Sequence, residues 1–204
     1  MKPFLIAVSL AVLLPLAARA DGFERRSYAP GWSDPYQPQA RQGLIVSLGM
    51  GGGSLGISAE GPQRFGAGDL DFRLGYGVSD RLQLFMDLNA DGGTTYYGTT
   101  AGTWTATLRA QTLLIGDRRG NGLNVNFGVG FGGLTYDPNG IGASSPTGLA
   151  VGGGLSFDGR ITKNMAISPE LFVTWHQVPG DRWGNAGGDA TAYGLRLNLV
   201  WYLR

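Results

Sequence analysis

The sequence predicts an all-β fold, an eight-stranded antiparallel up-and-down transmembrane β-barrel. Three observations predict it. Beyond residue 42 the dominant period of the chain is two, the mark of half-buried strands. Short turn-forming segments alternate with longer ones along the whole of that region. One face of each strand is apolar and free of charge, while glycine and a few charged side chains collect on the other.

The chain has 204 residues, which suits one domain. Its 36 glycines are far above ordinary usage, but 11% aromatic content argues against low-complexity disorder. There is no cysteine, which removes disulfides, thiolate metal sites and cysteine nucleophiles. His176 is the only histidine, so a histidine-rich metal site is excluded too, and no cofactor is expected. Charge is balanced, with 16 basic and 15 acidic side chains and no basic stripe to suit nucleic acid.

Residues 1–20, "MKPFLIAVSLAVLLPLAARA", have the form of an export signal. Lys2 supplies the charged start, Phe4 to Leu16 the apolar core, and Ala18-Arg19-Ala20 the small-residue cleavage site. The apolar run is short for a transmembrane helix. Without Lys2 and Arg19 the 16 basic side chains become 14, against 15 acidic. Residues 21–42 contain Pro30, Pro35 and Pro38 and no sustained period, as expected of an extended periplasmic lead-in. The barrel is assigned to residues 43–204.

The strands follow in order. The first covers Gly43 to Ile57, with Leu44, Val46, Leu48 and Met50 on one face. The second, "DLDFRLGYG" from Asp69 and on to Val78, sets Leu70, Phe72, Leu74 and Tyr76 against Asp69, Asp71 and Arg73. The third, about Leu82 to Asp91, sets Leu82, Leu84, Met86 and Leu88 against Gln83, Phe85, Asp87 and Asn89. The fourth, about Thr103 to Leu114, sets Trp104, Ala106, Leu108 and Ala110 against Thr105, Thr107, Arg109 and Gln111. "LNVNFGVGF", Leu123 to Phe131, is the fifth. Leu149, Val151, Leu155 and Phe157 mark the sixth, with Asp158 on its polar face. The seventh sets Ile167, Leu171, Val173 and Trp175 against Ser168, Glu170, Thr174 and His176. The last, about Ala192 to Leu203, sets Tyr193, Leu195, Leu197, Leu199 and Trp201 against Gly194, Arg196 and Asn198.

The connections at 79–81, 115–122 and 159–164 are short and rich in turn formers. Those at 58–66, 92–102, 137–147 and 178–190 are longer, which suits a meander with tight turns at one end and loops at the other.

Alternation alone leaves open which face meets water, since a soluble lipocalin-like barrel would exchange inside and outside. Two features choose. Gly49, Gly51, Gly75, Gly77, Gly128, Gly130, Gly132, Gly152 and Gly154 lie on the polar face. Glycine is a poor choice for a solvated strand but fits a crowded lumen. Trp104, Trp175 and Tyr193 lie near long loops on the apolar face, while Tyr76 and Trp201 lie near the opposite end. Two aromatic belts bounding an apolar band match the two interfaces of a bilayer. The apolar face therefore meets lipid. An even strand number puts both termini on one side, the periplasmic side, and the four long loops outside.

On these features, and on the closing strand "YGLRLNLVWYL" (Tyr193–Leu203), the chain resembles the small eight-stranded outer-membrane β-barrels, typified by the OmpA transmembrane domain and OmpX-like and OmpW-like proteins. The resemblance covers residues 43–204. It implies residence in the bilayer of a Gram-negative outer membrane and handling by the outer-membrane assembly machinery. The family usually ends on an aromatic residue, whereas here Trp201 and Tyr202 precede Leu203 and Arg204.

The lumen charges Asp69, Asp71, Arg73, Asp87, Arg109, Asp158, Glu170 and Arg196 are the candidate chemistry. Near-balanced signs favour a compensating ion-pair network over a selectivity ring. Asp69, Asp71 and Asp87 are expected beside Arg73 and Arg109 toward the outer half, with Glu170 and Arg196 elsewhere. The bare fifth and sixth strands either make room for arginines from across the barrel or leave a pocket. Lipid-modifying enzymes occur on this architecture, but His176 points inward, with Thr174 and Val178 as its neighbours on that face. The expectation is a non-enzymatic outer-membrane barrel with a structural, surface-exposed or loop-binding role, in contact with lipid and with a saccharide or protein through its loops. A narrow pore or gated channel for ions or small solutes is the alternative.

Overall fold

The computed structural model describes residues 41–58, 62–96, 98–117, 120–137, 143–180 and 187–203. The expected export signal and all but Arg41 and Gln42 of the expected lead-in lie outside them. The strands are β1 (Gly43–Ile57), β2 (Gln63–Gly77), β3 (Leu82–Thr94), β4 (Thr100–Gly116), β5 (Gly122–Asp137), β6 (Ala143–Ser144), β7 (Gly148–Arg160), β8 (Met165–Val178) and β9 (Gly188–Leu203). Each strand lies antiparallel to its neighbours, and the two-residue β6 pairs only with the end of β5. Pairing of β1 with β9 and of β4 with β5 closes the eight long strands into a ring. Closure leaves no open edge, which is what a backbone surrounded by hydrocarbon requires.

Several strands run further than the side-chain pattern predicts. β2 begins at Gln63 rather than near Asp69, β4 at Thr100, and β9 at Gly188. The extra residues carry Gly66, Gly68, Gly92, Gly93 and Gly102 among them, so alternation fades while the backbone ladder continues. Strands of 13 to 17 residues exceed the roughly 9–11 needed to cross a bilayer, and the surplus lies at the loop end.

The outer surface follows the parity of the sequence. Leu70 is 63% and Leu108 71% exposed on the outside, in a band without charge. That band ends at the loop end, where Arg64 bonds the Tyr193 hydroxyl at 3.3 Å and stacks 5.4 Å from its ring centroid. So large an apolar surface has no place in water.

The lumen is layered. At the turn end, where the chain termini of the barrel also lie, Ile45, Ala166, Val200 and Tyr202 form a small apolar cluster. At the loop end Leu55, Ile57, Ala101, Leu134, Phe172, Val178, Ala190 and Ala192 form a larger one, with Phe65 and Ala67 packed against it. Charged and amide side chains fill the space between. The alternation pattern did not foretell the loop-end cluster, because its members have inward parity on strands whose other inward residues are polar.

Candidate functional site

Eight side chains were expected inside, and all eight are 5% exposed or less. Parity alone places them there. β2 presents Asp69, Asp71 and Arg73, β3 Asp87, β4 Arg109, β7 Asp158, β8 Glu170 and β9 Arg196.

Glu170 is the hub. Its Oε2 accepts from Arg73 Nη2 at 2.5 Å, Asn198 Nδ2 at 2.9 Å and Arg196 Nε at 3.2 Å. Its Oε1 accepts from Asn126 Nδ2 at 2.8 Å. Arg73 also lies 2.8 Å from Asp71 and 3.1 Å from Asp87, and Arg196 donates to Asp71 at 2.9 Å. Arg109 lies 3.1 Å from Asp87 and donates to Asn126 Oδ1 at 3.0 Å and to Thr107 Oγ1 at 3.1 Å. Glu170 and Arg196 therefore do not stand apart from the other charges, as the sequence suggests, but join them at the centre of the lumen. The reason is curvature: β8 and β9 lie across the ring from β3 and β4, so their inward side chains meet in the middle. Arg73 and Arg196 also lie over the rings of Phe85 and Phe172, at 5.1 and 4.5 Å.

The glycine-bare wall of β5 and β7 is occupied by this network. A Cβ on Gly128 would collide with Arg109 Cγ, and one on Gly152 would lie 2.8 Å from Arg109 Nη2. A Cβ on Gly154 would meet the Glu170 carboxylate. Glycine at these positions makes room for a guanidinium and a carboxylate.

Asp158 belongs to a second cluster at the turn end. Arg41, just before β1, enters the barrel and donates from Nη1 to Asp158 Oδ2 at 2.7 Å and to the Gly120 carbonyl at 3.2 Å. Its Nη2 donates to Asn124 Oδ1 at 2.7 Å. Ser168 Oγ donates to Asp158 Oδ1 at 2.7 Å and the Tyr202 hydroxyl to Oδ2 at 3.3 Å. The Arg160 guanidinium stacks 3.6 Å from the Tyr202 ring centroid. Gly77 admits the Arg41 backbone, since a Cβ there would strike the Arg41 carbonyl oxygen. Sequence reasoning missed Arg41, because nothing local distinguishes it from the other arginines of the lead-in. Asp91 was missed as well, although its parity with Asp87 and Asn89 signals it.

Between the clusters a cavity of about 20 Å³, bordered by Arg73, Gln83, Phe85, Gln111 and Tyr202, has room for about one water. His176 lies inside the loop end, 2% exposed, with Nε2 lacking a hydrogen-bond partner. The aromatic belt residues Tyr76, Trp104, Trp175, Tyr193 and Trp201 all have outward parity, the first and last toward the turn end.

No family model matches the sequence, and neither does any curated protein. Among solved structures, Neisserial surface protein A superposes with a TM-score of 0.59, at 13% identity, over 79% of this chain and 100% of that one. The chain has the fold of a small outer-membrane β-barrel. Looser likenesses include Ail, the attachment invasion locus protein of Yersinia pestis, at a TM-score of 0.45 and 15% identity, covering 79% of this chain and 98% of that one. The N-terminal β-barrel domain of Pseudomonas aeruginosa OprF gives 0.44 and 13%, covering 78% and 98%. At such identities the shared property is the fold, and the barrel's task has to be argued from its own residues.

Proposed function

We propose that this protein is a sealed outer-membrane barrel that anchors and displays its loops at the cell surface, rather than a channel or an enzyme. The observation that carries this reading is the filled lumen. An ion-pair network spans the barrel between an apolar layer at each end, and the cavity beside it, bordered by Arg73 and Tyr202, has room for about one water. A pore needs a continuous wet path with ions bound weakly enough to leave. Here each central arginine is engaged by carboxylates instead. In this reading the charge-free outer band lies in lipid, the termini are periplasmic, the assembly machinery engages β9, and the loops meet a saccharide or protein ligand. His176, enclosed in the lumen, is a structural residue.

The test has two parts. Protein extracted from isolated outer membranes should change gel mobility on boiling, as a detergent-resistant barrel does. The same protein in planar lipid bilayers should show no discrete conductance steps. Reproducible steps would favour the narrow pore, and recovery as a soluble periplasmic protein would overturn membrane residence.

A further inference from the structure

The inner wall of β2, β3 and β4 carries more negative charge than the lumen's arginines answer. Cross-strand register sets Asp69 beside Asp91 and Asp91 beside Thr103, with Asp71, Asn89 and Thr105 forming the adjoining row toward the turn end. The central lumen holds the carboxylates of Asp69, Asp71, Asp87, Asp91 and Glu170 against the guanidiniums of Arg73, Arg109 and Arg196. Asp71, Asp87 and Glu170 take the close ion pairs. Asp69 is left with Arg196 at 3.5 Å, and Asp91 has no ion-pair partner among the described residues. Both are under 5% exposed. Two neighbouring carboxylates withdrawn from water need a counter-charge or a proton between them.

A second observation separates those options. Four oxygens on this wall have no hydrogen-bond partner: Asp69 Oδ2, Asp91 Oδ2, Asn89 Oδ1 and Thr105 Oγ1. Asn89 and Thr105 are only 3% and 2% exposed, so bulk water does not serve them. Asn89 already spends its amide protons on Asp69 Oδ1 and the Leu70 carbonyl. One shared proton would engage Asp69 Oδ2 and Asp91 Oδ2 together and leave Asn89 Oδ1 and Thr105 Oγ1 unmet. We infer that the Asp69–Asp91 wall, completed by Asn89 and Thr105, holds a hard divalent cation of the Ca²⁺ class inside the barrel.

The donor set is all oxygen, with two carboxylates to balance a double charge, and no soft or imidazole ligand takes part. Among the described residues no three acidic, histidine or cysteine groups converge, so the neutral oxygens and water complete the shell. Ca²⁺ tolerates such an irregular shell better than Mg²⁺ does. The row above the site is Ala67, Gly93 and Ala101, none of which carries more than a methyl group. Phe65 lies over Gly93 and, with the loop-end apolar cluster, closes the site from outside.

The experiment uses the full barrel in detergent, stripped with EDTA while unfolded and refolded with or without millimolar CaCl₂. Wild type should melt at a temperature that rises with the logarithm of Ca²⁺ concentration, as ligand linkage requires. It should also retain one metal ion per chain after chelation of the folded form. Asp91→Asn should lose both responses. Thr105→Val removes one oxygen at nearly constant volume without altering charge, and should need several-fold more Ca²⁺ for half the shift. A wild-type melting temperature indifferent to Ca²⁺ would overturn the site, as would an undiminished response in either variant. An Asp91→Asn barrel more stable than wild type, with no metal response in either, would mean a shared proton instead.

Discussion

The two polar clusters of the lumen are built in opposite ways. The central network draws on β2, β3, β4, β5, β8 and β9, and its Glu170 accepts from four residues at once. The turn-end cluster turns on Arg41 alone, delivered by the segment before β1 and answered by Asp158 and Asn124. The first exists only when the ring is closed, so its loss is a loss of the barrel. The second seats one side chain in the mouth of a ring that the strands have already formed.

The sharpest way to break that comparison is Glu170→Gln, which takes from Arg73 and Arg196 one of the two carboxylates they share and leaves them Asp71. Removing one partner of a buried ion pair costs about 3–5 kcal/mol. We expect a fall of that order in denaturant unfolding in detergent, and a loss below about 1 kcal/mol would contradict a central hub. Arg41→Met should cost less, about 1.5–3 kcal/mol, the worth of hydrogen bonds to a charged group. Asp158 keeps Ser168 and Tyr202 as donors, so the ring should persist with its boiling-dependent gel shift intact. If Arg41→Met abolished folding, the contrast between the clusters would fail.

Gly128→Leu tests the room the network needs without touching a charge. Overpacking of this kind costs about 1–3 kcal/mol. Because the intruding side chain strikes Arg109, the penalty should shrink in an Arg109→Ala background. Equal penalties in the two backgrounds would mean that Gly128 matters for strand curvature instead. The smallest effect is expected at Ser58, whose hydroxyl bonds Asp189 at the exposed loop end and accepts from the Asp189 amide at 2.8 Å. Ser58→Ala should cost about 0.5–1.5 kcal/mol, the net worth of an ordinary hydrogen bond.

How much of this was legible varies by residue. Asp87 and Arg109 could be placed inside because their neighbours Met86 and Leu108 are plainly lipid-facing, and in a strand that settles both faces. That Arg73 would meet Glu170, 97 positions later, has no local signature. Leu55 and Ile57 went unassigned for a different reason. They extend an apolar strand in the sequence, yet their inward parity makes them part of the lumen's seal.

The sequence by itself determined the strands, their up-and-down order and the face each residue takes, because a period of two is a property of the extended backbone. It also determined that charge would be enclosed, since the other face is apolar throughout. Only the tertiary structure decided which charges meet, that Arg41 enters the turn end, and that Asp69 and Asp91 share a wall with too few cations. Those depend on register around a closed ring and on which side chains reach across it, and residues far apart along the chain carry no local trace of either.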